Sequence, residues 1–211
     1  MEFLKNDKTE PKEFKKYPLY LEISGKRALW KDPGSGSSNV SYPIPPRSAI
    51  RGIFESILWW KNIKIIPYKI HICSNPKYEV YKFNTRGYKI KDVNLRKGNA
   101  EQVTNRILVN PKFQIFAYPK EIYKEDIRVN STHGYQEVFN RRMKRGQCFR
   151  VPSFGQSEFI VDYWGEFRKD TTIYPHNENI PSFLYEVFDG SKFNPTFIQN
   201  VQIVDGVYYY D

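Results

Sequence analysis

From Tyr17 to Ser24 the apolar residues Leu19, Leu21 and Ile23 alternate with Tyr20, Glu22 and Ser24. A period of two predicts a half-buried strand with one apolar face. Residues 31–46, KDPGSGSSNVSYPIPP, break every period, and their Gly, Ser and Pro content predicts a long mobile loop. Pro45 and Pro46 then restrict the chain before Ser48, a candidate N-cap, and Ile50, Ile53, Phe54 and Ile57 recur at helical spacing. Gly52 lies inside this amphipathic helix, where it costs ~1 kcal/mol against Ala, so close packing of the helix on a sheet is the natural reason for it. IKIIPYKIHIC, residues 63–73, reads as a strand with Pro67 at an edge or bulge, and a second strand follows from Tyr78 to Phe83.

Residues 84–105 are polar and charged without a clean period, which predicts an exposed insertion or hairpin. RILVNPKFQIFA, from Arg106 to Ala117, restores the strand pattern. In STHGYQEVFNRRMKRG, Tyr135, Val138, Phe139 and Met143 share one helical stripe, with Gly146 suited to the C-cap. SEFIVDYW, residues 157–164, predicts a further strand, and the Pro- and aromatic-rich tail ends in VQIVDGVYYY, a hairpin across Asp205-Gly206. The order strand, helix, strand, strand, helix, strand is that of a ferredoxin-like βαββαβ domain in the α+β class. We place this domain at 17–164 with an inserted hairpin, a flexible arm at 1–16 before it, and a small C-terminal β-rich extension at 165–211. RNA-recognition modules share the arrangement and use the open sheet face for single strands, although many such sheets bind none.

Composition narrows the field. The 211 residues are 40% apolar and 27% charged, as expected of one compact domain. No run approaches the ~18 apolar residues of a membrane helix, and MEFLKNDKTEPKEFKK is charged where a signal peptide is apolar, so a cytoplasmic protein without membrane contact is expected. Cys73 and Cys148 form no C-x-x-C pair and the 3 histidines have no zinc spacing, so neither a metal nor another cofactor is expected. The excess lies elsewhere: 33 Lys+Arg against 23 Asp+Glu give +10, and 17% of residues are aromatic. Basic side chains neutralise phosphates and exposed rings stack on unpaired bases. Many basic proteins never touch nucleic acid, and most aromatics belong to the core, so composition alone does not decide. Sharper is FNRRMKRG, where Arg141 and Arg145 are i, i+4 neighbours with Lys144 beside them, away from the apolar stripe. Such a face tracks a phosphate backbone, and a merely solvated helix face would carry the same charges.

Three segments carry a resemblance. GKRALWKDP presents Gly25, Ala28, Trp30, Asp32 and Pro33; SYPIPPRSAIRGIFESILW presents Ser41, Tyr42, Pro45, Ser48, Ala49, Gly52, Glu55, Ile57 and Trp59. FNRRMKRGQCF with PSFGQSEF presents Phe139, Arg141, Arg142, Gly146, Gln147, Cys148, Phe149, Pro152, Gly155, Glu158 and Phe159. In this order and spacing they resemble the CRISPR-associated RAMP-superfamily subunit of type I-C Cascade, the Cas protein five family in its I-C/Dvulg variant. The resemblance spans residues 17–165.

It implies the ferredoxin-like fold of RRM and RAMP proteins and an antiviral defence subunit that binds the crRNA 5′ handle. It also implies cleavage of pre-crRNA repeats by metal-independent 2′-hydroxyl attack. The implied partners are crRNA and the pre-crRNA repeat, the backbone and large subunits of Cascade and, indirectly, target DNA. Arg47, Arg141, Arg142, Lys144, Arg145 and Gln147 are the expected RNA-binding residues. Such cleavage needs a base at the 2′-hydroxyl, an acid at the leaving 5′-oxygen and cations around the phosphorus. The family's catalytic places, a Tyr or His before the Trp of the first helix and a Lys-His pair opening the second, hold Leu58, Gly134 and Tyr135 here. His133, two residues before Tyr135, takes the vacant role if the helix start shifts by one residue. The catalytic candidates are therefore His133, Tyr135 and Tyr42, where Tyr42 is a weaker one, as are Arg47, which like Tyr42 flanks the long loop, and His71 within a strand. A lone His at a helix start also serves as a capping residue. Because Leu and Gly transfer no proton, a non-catalytic 5′-handle capping subunit is the alternative. An RNA-binding protein outside CRISPR systems would leave the three motifs unexplained.

Overall fold

The computed structural model describes residues 16–36, 38–85, 101–123, 130–189 and 192–210. The expected arm, apart from its last residue, and the tip of the inserted hairpin lie outside them. The predicted first strand forms as β1 (Leu19–Gly25), and its Leu19, Leu21 and Ile23 are fully buried. It pairs antiparallel on one side with β7 (Lys112–Glu121) and on the other with β8 (Val161–Gly165). β7 continues to β4 (Ile63–Ile72) and β4 to β11 (Val207–Tyr209), giving a five-stranded antiparallel sheet of order β11-β4-β7-β1-β8. The register of β4 against β7 shifts between Pro67 and Lys69, which places the proline at a bulge, as its missing N–H requires.

Two helices pack on this sheet. In α1 (Arg47–Ile57) the buried residues are Ile50, Ile53, Phe54 and Ile57, the stripe read from spacing. In α2 (Ser131–Arg145) Tyr135 and Phe139 are buried, while Val138 and Met143 are packed at the edge of the core. The Phe54 and Phe139 rings stack with centroids 5.3 Å apart and planes 22° from parallel, joining the helices. Gly146, at φ 63, closes α2 in the left-handed conformation expected of a C-cap glycine.

Several expectations are corrected. Ser48 is no N-cap: α1 begins at Arg47 behind Pro46 and has no side-chain cap. The loop at 31–46 is interior in its second part, where Ser41 to Pro46 are buried and Tyr42 and Ile44 join the core, while the described residues from Lys31 to Val40 are exposed or half-buried. Proline prevents regular pairing there but not burial, and the remaining backbone groups are satisfied, Tyr42 N–H by Trp30 C=O at 2.9 Å and Ser41 N–H by Arg106 C=O at 2.9 Å. The strand predicted over Arg106–Ala117 is two strands, β6 (Glu101–Val109) and β7, broken at Asn110, whose φ is 49, and at Pro111, which has no N–H to donate. β6 pairs with β5 (Lys77–Thr85) as the inserted hairpin, and with the short β2 (Arg27–Ala28) and β3 (Asn39–Val40). Of the strand predicted over 157–164, only the portion from Val161 is strand. No Cβ contact within 4 Å would await an alanine at Gly52, so close packing is not its reason.

The tail holds a long hairpin that periodicity did not reveal, β9 (Glu178–Asp189) with β10 (Lys192–Ile203). The expected hairpin across Asp205-Gly206 is a turn only: both residues have positive φ, 49 and 76, and Val204 and Val207 exchange backbone hydrogen bonds across it, but beyond it β10 pairs with β9 and β11 with β4. Phe183, Val201, Ile203, Tyr208 and Tyr210 from the tail enter the same core as the helices.

On the face of the sheet away from the helices, Glu22 is fully buried. It accepts hydrogen bonds from Arg168 Nε (2.6 Å), Arg168 N–H (2.9 Å), Thr171 Oγ1 (2.8 Å) and Gln114 Nε2 (3.3 Å). Burial alone would raise its pKa, but these donors stabilise the ionised form and hold it below the ordinary 4.5. A folded-state pKa below the unfolded one adds stability that is present above the ordinary carboxylate range and is lost as the pH falls below that range, through the lowered folded-state value. Glu22→Gln is expected to cost ~1.5–3 kcal/mol near neutrality and to flatten the acid limb of the stability profile. Urea unfolding at pH values from neutral to about 3 checks this, and parallel acid limbs for the two proteins would count against it.

Candidate functional site

α2 is two-sided, and its two sides hold different groups. At its start the Asn130 side chain accepts from His133 N–H at 3.2 Å and from Thr132 Oγ1 at 2.8 Å, while Asn130 Nδ2 donates to the Tyr17 hydroxyl at 2.6 Å. The His133 side chain is 56% exposed, its ring lies 5.6 Å from the Tyr17 ring, and its Nε2 is 3.9 Å from Glu137 Oε1. A solvent-facing imidazole is thus flanked by a phenol and a carboxylate. Nothing in the sequence relates Tyr17 to His133; only the fold brings them together.

Tyr135 faces the other way. At 100° per residue, positions two apart on a helix lie ~200° apart, so His133 and Tyr135 do not share a site. Tyr135 is 1% exposed and donates its hydroxyl proton to the Leu58 carbonyl at 2.6 Å. Burial pushes its phenol far above the ordinary range. Tyr42 is equally interior: its hydroxyl lies 3.0 Å from Asp32 Oδ1 and 3.1 Å from the Ser182 carbonyl, and it accepts from Leu184 N–H at 3.2 Å. Burial, then the neighbouring Asp32 carboxylate, raises its pKa. The three catalytic candidates therefore sit in three separate places. Leu58 is buried, and Gly134 is half-buried beside the Trp60 ring, 3.6 Å from where its Cβ would stand. His71 lies on the helix-free face beside Phe116, centroids 4.6 Å apart, and burial together with Lys69 lowers its pKa to about 4. It is neutral at physiological pH.

The cationic face forms as expected in part. Arg141, Lys144 and Arg145 are exposed and, with Glu137 and Asn140, line a shallow cavity of about 340 Å³. Arg142 points inward: its Nη1 donates to the Ile57 carbonyl at 2.6 Å and so caps α1. Gln147 is tied by its backbone N–H to the Arg142 carbonyl at 2.9 Å. Arg47 stands at the far end of α1, ~15 Å along the axis, with its guanidinium 5.1 Å over the Tyr185 ring and 3.9 Å from Glu186. A larger cavity, about 780 Å³, opens between Tyr42, Tyr78, Arg106 and the β9–β10 hairpin. Among the described residues no group of three or more His, Cys, Asp or Glu could hold a metal ion, and no helix is long and apolar enough to cross a membrane.

Comparison with known proteins agrees with the three motifs. The family described as CRISPR-associated protein (Cas_Cas5) matches residues 19–169. Over 160 residues the chain is 29% identical to the CRISPR pre-crRNA endoribonuclease Cas5d of Mannheimia succiniciproducens, an alignment covering 69% of this chain and 71% of that one. Over 148 residues it is 25% identical to the CRISPR pre-crRNA endoribonuclease Cas5d of Thermus thermophilus, covering 67% of this chain and 61% of that one. In fold it is similar to a crystal structure of a CRISPR-associated protein, with a TM-score of 0.68, 17% identity, and coverage of 92% of this chain and 91% of that one.

The two arginines of the motif are expected to behave differently. Arg142→Ala removes a charged donor from a half-buried carbonyl and should cost ~1–3 kcal/mol, whereas Arg141→Ala should stay within ~0.5 kcal/mol of the unaltered protein. Chemical denaturation of both variants measures the difference, and equal stabilities would show that the Arg142 cap contributes nothing.

Proposed function

The chain belongs to the CRISPR-associated Cas5d family, and from that premise we propose that it binds the crRNA 5′ handle within a type I-C Cascade and cuts pre-crRNA repeats by metal-independent 2′-hydroxyl attack. One observation carries the reading. His133, Glu137, Asn140, Arg141 and Lys144 follow one another at i, i+3 and i+4 on the exposed side of α2. They lie within ~100° of one another and extend over ~16 Å of helix, so one stripe joins a proton-transfer group to a run of cations. The mixed sheet and helix architecture is read here as ferredoxin-like, a reading supported by the strand order β8-β1-β7-β4 with both helices on one face. In the same reading residues 17–164 are the RAMP domain and 165–211 its β-rich extension. The partners are the repeat RNA, the backbone and large Cascade subunits and, through them, target DNA.

In the chemical step the 2′-oxygen attacks the adjacent phosphorus as a base takes its proton. The P–O5′ bond breaks, an acid protonates the leaving 5′-oxygen, and the products are a 2′,3′-cyclic phosphate and a 5′-hydroxyl. His133 supplies the exchangeable proton, and the adjoining Tyr17 ring packs against the imidazole while its hydroxyl is held by Asn130 Nδ2. Arg141 and Lys144 neutralise phosphate charge. Tyr135 and Tyr42 act from beneath the surface by holding the helix and the 31–46 segment in place.

A second reading is favoured by Leu58 and Gly134, which occupy the family's catalytic places without a transferable proton: a subunit that caps the 5′ handle and does not cut. Incubation with the cognate repeat hairpin in EDTA separates the two. Processing predicts a single cut leaving a cyclic phosphate, while tight binding with no cut establishes capping. If His133 transfers the proton, His133→Ala slows cleavage by roughly 10²–10⁴-fold with RNA affinity nearly unchanged, and Tyr17→Phe gives a smaller loss. Cleavage by His133→Ala at the unaltered rate would exclude that residue.

Charge reversal at Arg141 and Lys144 together should weaken handle binding and reduce the slope of log affinity against log salt by roughly 1 to 2, since each lost phosphate contact on a single strand removes ~0.7. An unchanged slope, measured by titration across salt concentrations, would remove these residues from the interface.

A further inference from the structure

Gly52 sits in the middle of α1, where glycine costs ~1 kcal/mol against alanine, yet the space where its Cβ would stand is empty. Neither turn geometry nor packing among the described residues accounts for it. The bare flank of helix at Gly52 lines a cavity of about 460 Å³, within the ~300–1,000 Å³ of small-ligand pockets. Opposite lies Gly155, at φ +87, where any side chain would collide with the Leu29 carbonyl. An ideal Cβ at Gly155 would lie 3.3 Å from Cδ1 of Trp30, so the pyrrole edge of that indole faces the glycine that lines the cavity. Trp30 is 3% exposed, and its Nε1–H finds no acceptor among the described residues. A buried N–H without an acceptor costs ~1–3 kcal/mol, and a ligand oxygen or ring nitrogen would recover it.

Ala49 and Leu184 give the cavity apolar walls, Glu55 supplies an acceptor, and the exposed Lys31 stands at its rim. A flat heterocycle with a polar edge, attached to a phosphate, fits this set: its face lies on the Gly52 backbone, an acceptor on its edge meets Trp30 Nε1–H, and its phosphate reaches Lys31. We propose that this cavity takes one unstacked nucleobase of the bound RNA. The proposal rests on the RNA-binding reading above and adds a base-specific subsite on a helix other than the one that carries Arg141 and Lys144. Such pockets for splayed bases are how proteins read single-stranded RNA.

The test uses oligoribonucleotides of the cognate repeat, each with 2-aminopurine at one position, titrated into the full-length protein. One position is expected to change its emission on binding unlike its neighbours, as a base leaving the stack beside an indole does. Gly52→Leu, which fills the cavity, should abolish that signal and weaken binding at least tenfold. Gly52→Ala should raise the urea midpoint, because the helix gains a better former in open space, while weakening RNA binding; this pairing guards against simple misfolding. Trp30→Phe removes the donor together with the pyrrole half of the indole and should weaken binding several-fold; its urea midpoint, measured alongside, separates this from lost packing against Phe113 and Phe154. If Gly52→Leu binds RNA with unaltered affinity and the same positional signal, the subsite is overturned. If it leaves RNA binding intact but no longer co-purifies with the other Cascade subunits, the cavity takes a partner's side chain and the base assignment falls. Failure of the unaltered protein to bind any of the oligoribonucleotides overturns the RNA reading and this one with it.

Discussion

The last turn of α1 ends against the rest of the protein, with Ile57 and Leu58 buried. An uncapped helix end in that position would leave several acceptors unpaired, each at a cost comparable to a lost hydrogen bond. One continuous stretch of chain supplies the donors. The Tyr135 hydroxyl takes the Leu58 carbonyl, Arg142 Nη1 takes the Ile57 carbonyl, and the backbone N–H groups of Phe149 and Arg150 take those of Ile57 and Ser56 at 3.3 and 2.8 Å. Between these bonds the stacked Phe54 and Phe139 fill the remaining gap. The position of α2 over the sheet, and with it everything α2 displays to solvent, follows from terminating α1 correctly.

This constraint explains why residues of chemically versatile type carry no chemistry of their own. Tyr135 and Arg142 have the functional groups of a catalyst and a phosphate binder, yet each has its polar end directed at a carbonyl and away from solvent. The solvent side of the same helix is left to His133, Arg141 and Lys144. The division also bears on where RNA can lie. An RNA-recognition module would use the helix-free sheet face, but there the segment carrying Phe167, Arg168 and Thr171 crosses over β1, with Glu22 and Arg168 joined beneath it and Phe167 against Tyr20 at 5.7 Å. The cations and the Gly52 cavity lie on the side of the helices instead.

The sequence was legible wherever burial imposed a period. Leu19, Leu21 and Ile23, and the Ile50 to Ile57 stripe, alternate because one face meets the core and the other does not. The β9–β10 hairpin escaped because most of β10 is exposed, so no apolar period marks it, and Pro181 and Pro195 in its strands imitate loop composition. The 31–46 segment misled for the converse reason: its prolines and glycines describe irregular backbone accurately and say nothing of burial, which Tyr42 and Ile44 supply. In the site, the i, i+4 cations were readable because their relation is local. The Tyr135–Leu58 bond spans 77 residues and the Arg142–Ile57 bond 85, and no spacing rule reaches that far. The three family motifs did carry that information indirectly, since Ile57, Phe139 and Arg142 are among the residues they share.

The pairing of β11 with β4, and the Tyr210 hydroxyl held at 2.7 Å by the Pro45 carbonyl across 165 residues, make the central sheet a product of distant encounters. Loop-closure entropy delays such contacts until the local hairpins and helices have formed, so β4 waits with one backbone edge unpaired. A row of free N–H and C=O groups is a template for any other strand, including the same strand of a second molecule. Yield from the unfolded state is therefore governed by a race between this closure and edge-to-edge association, and it falls as the concentration of folding chains rises.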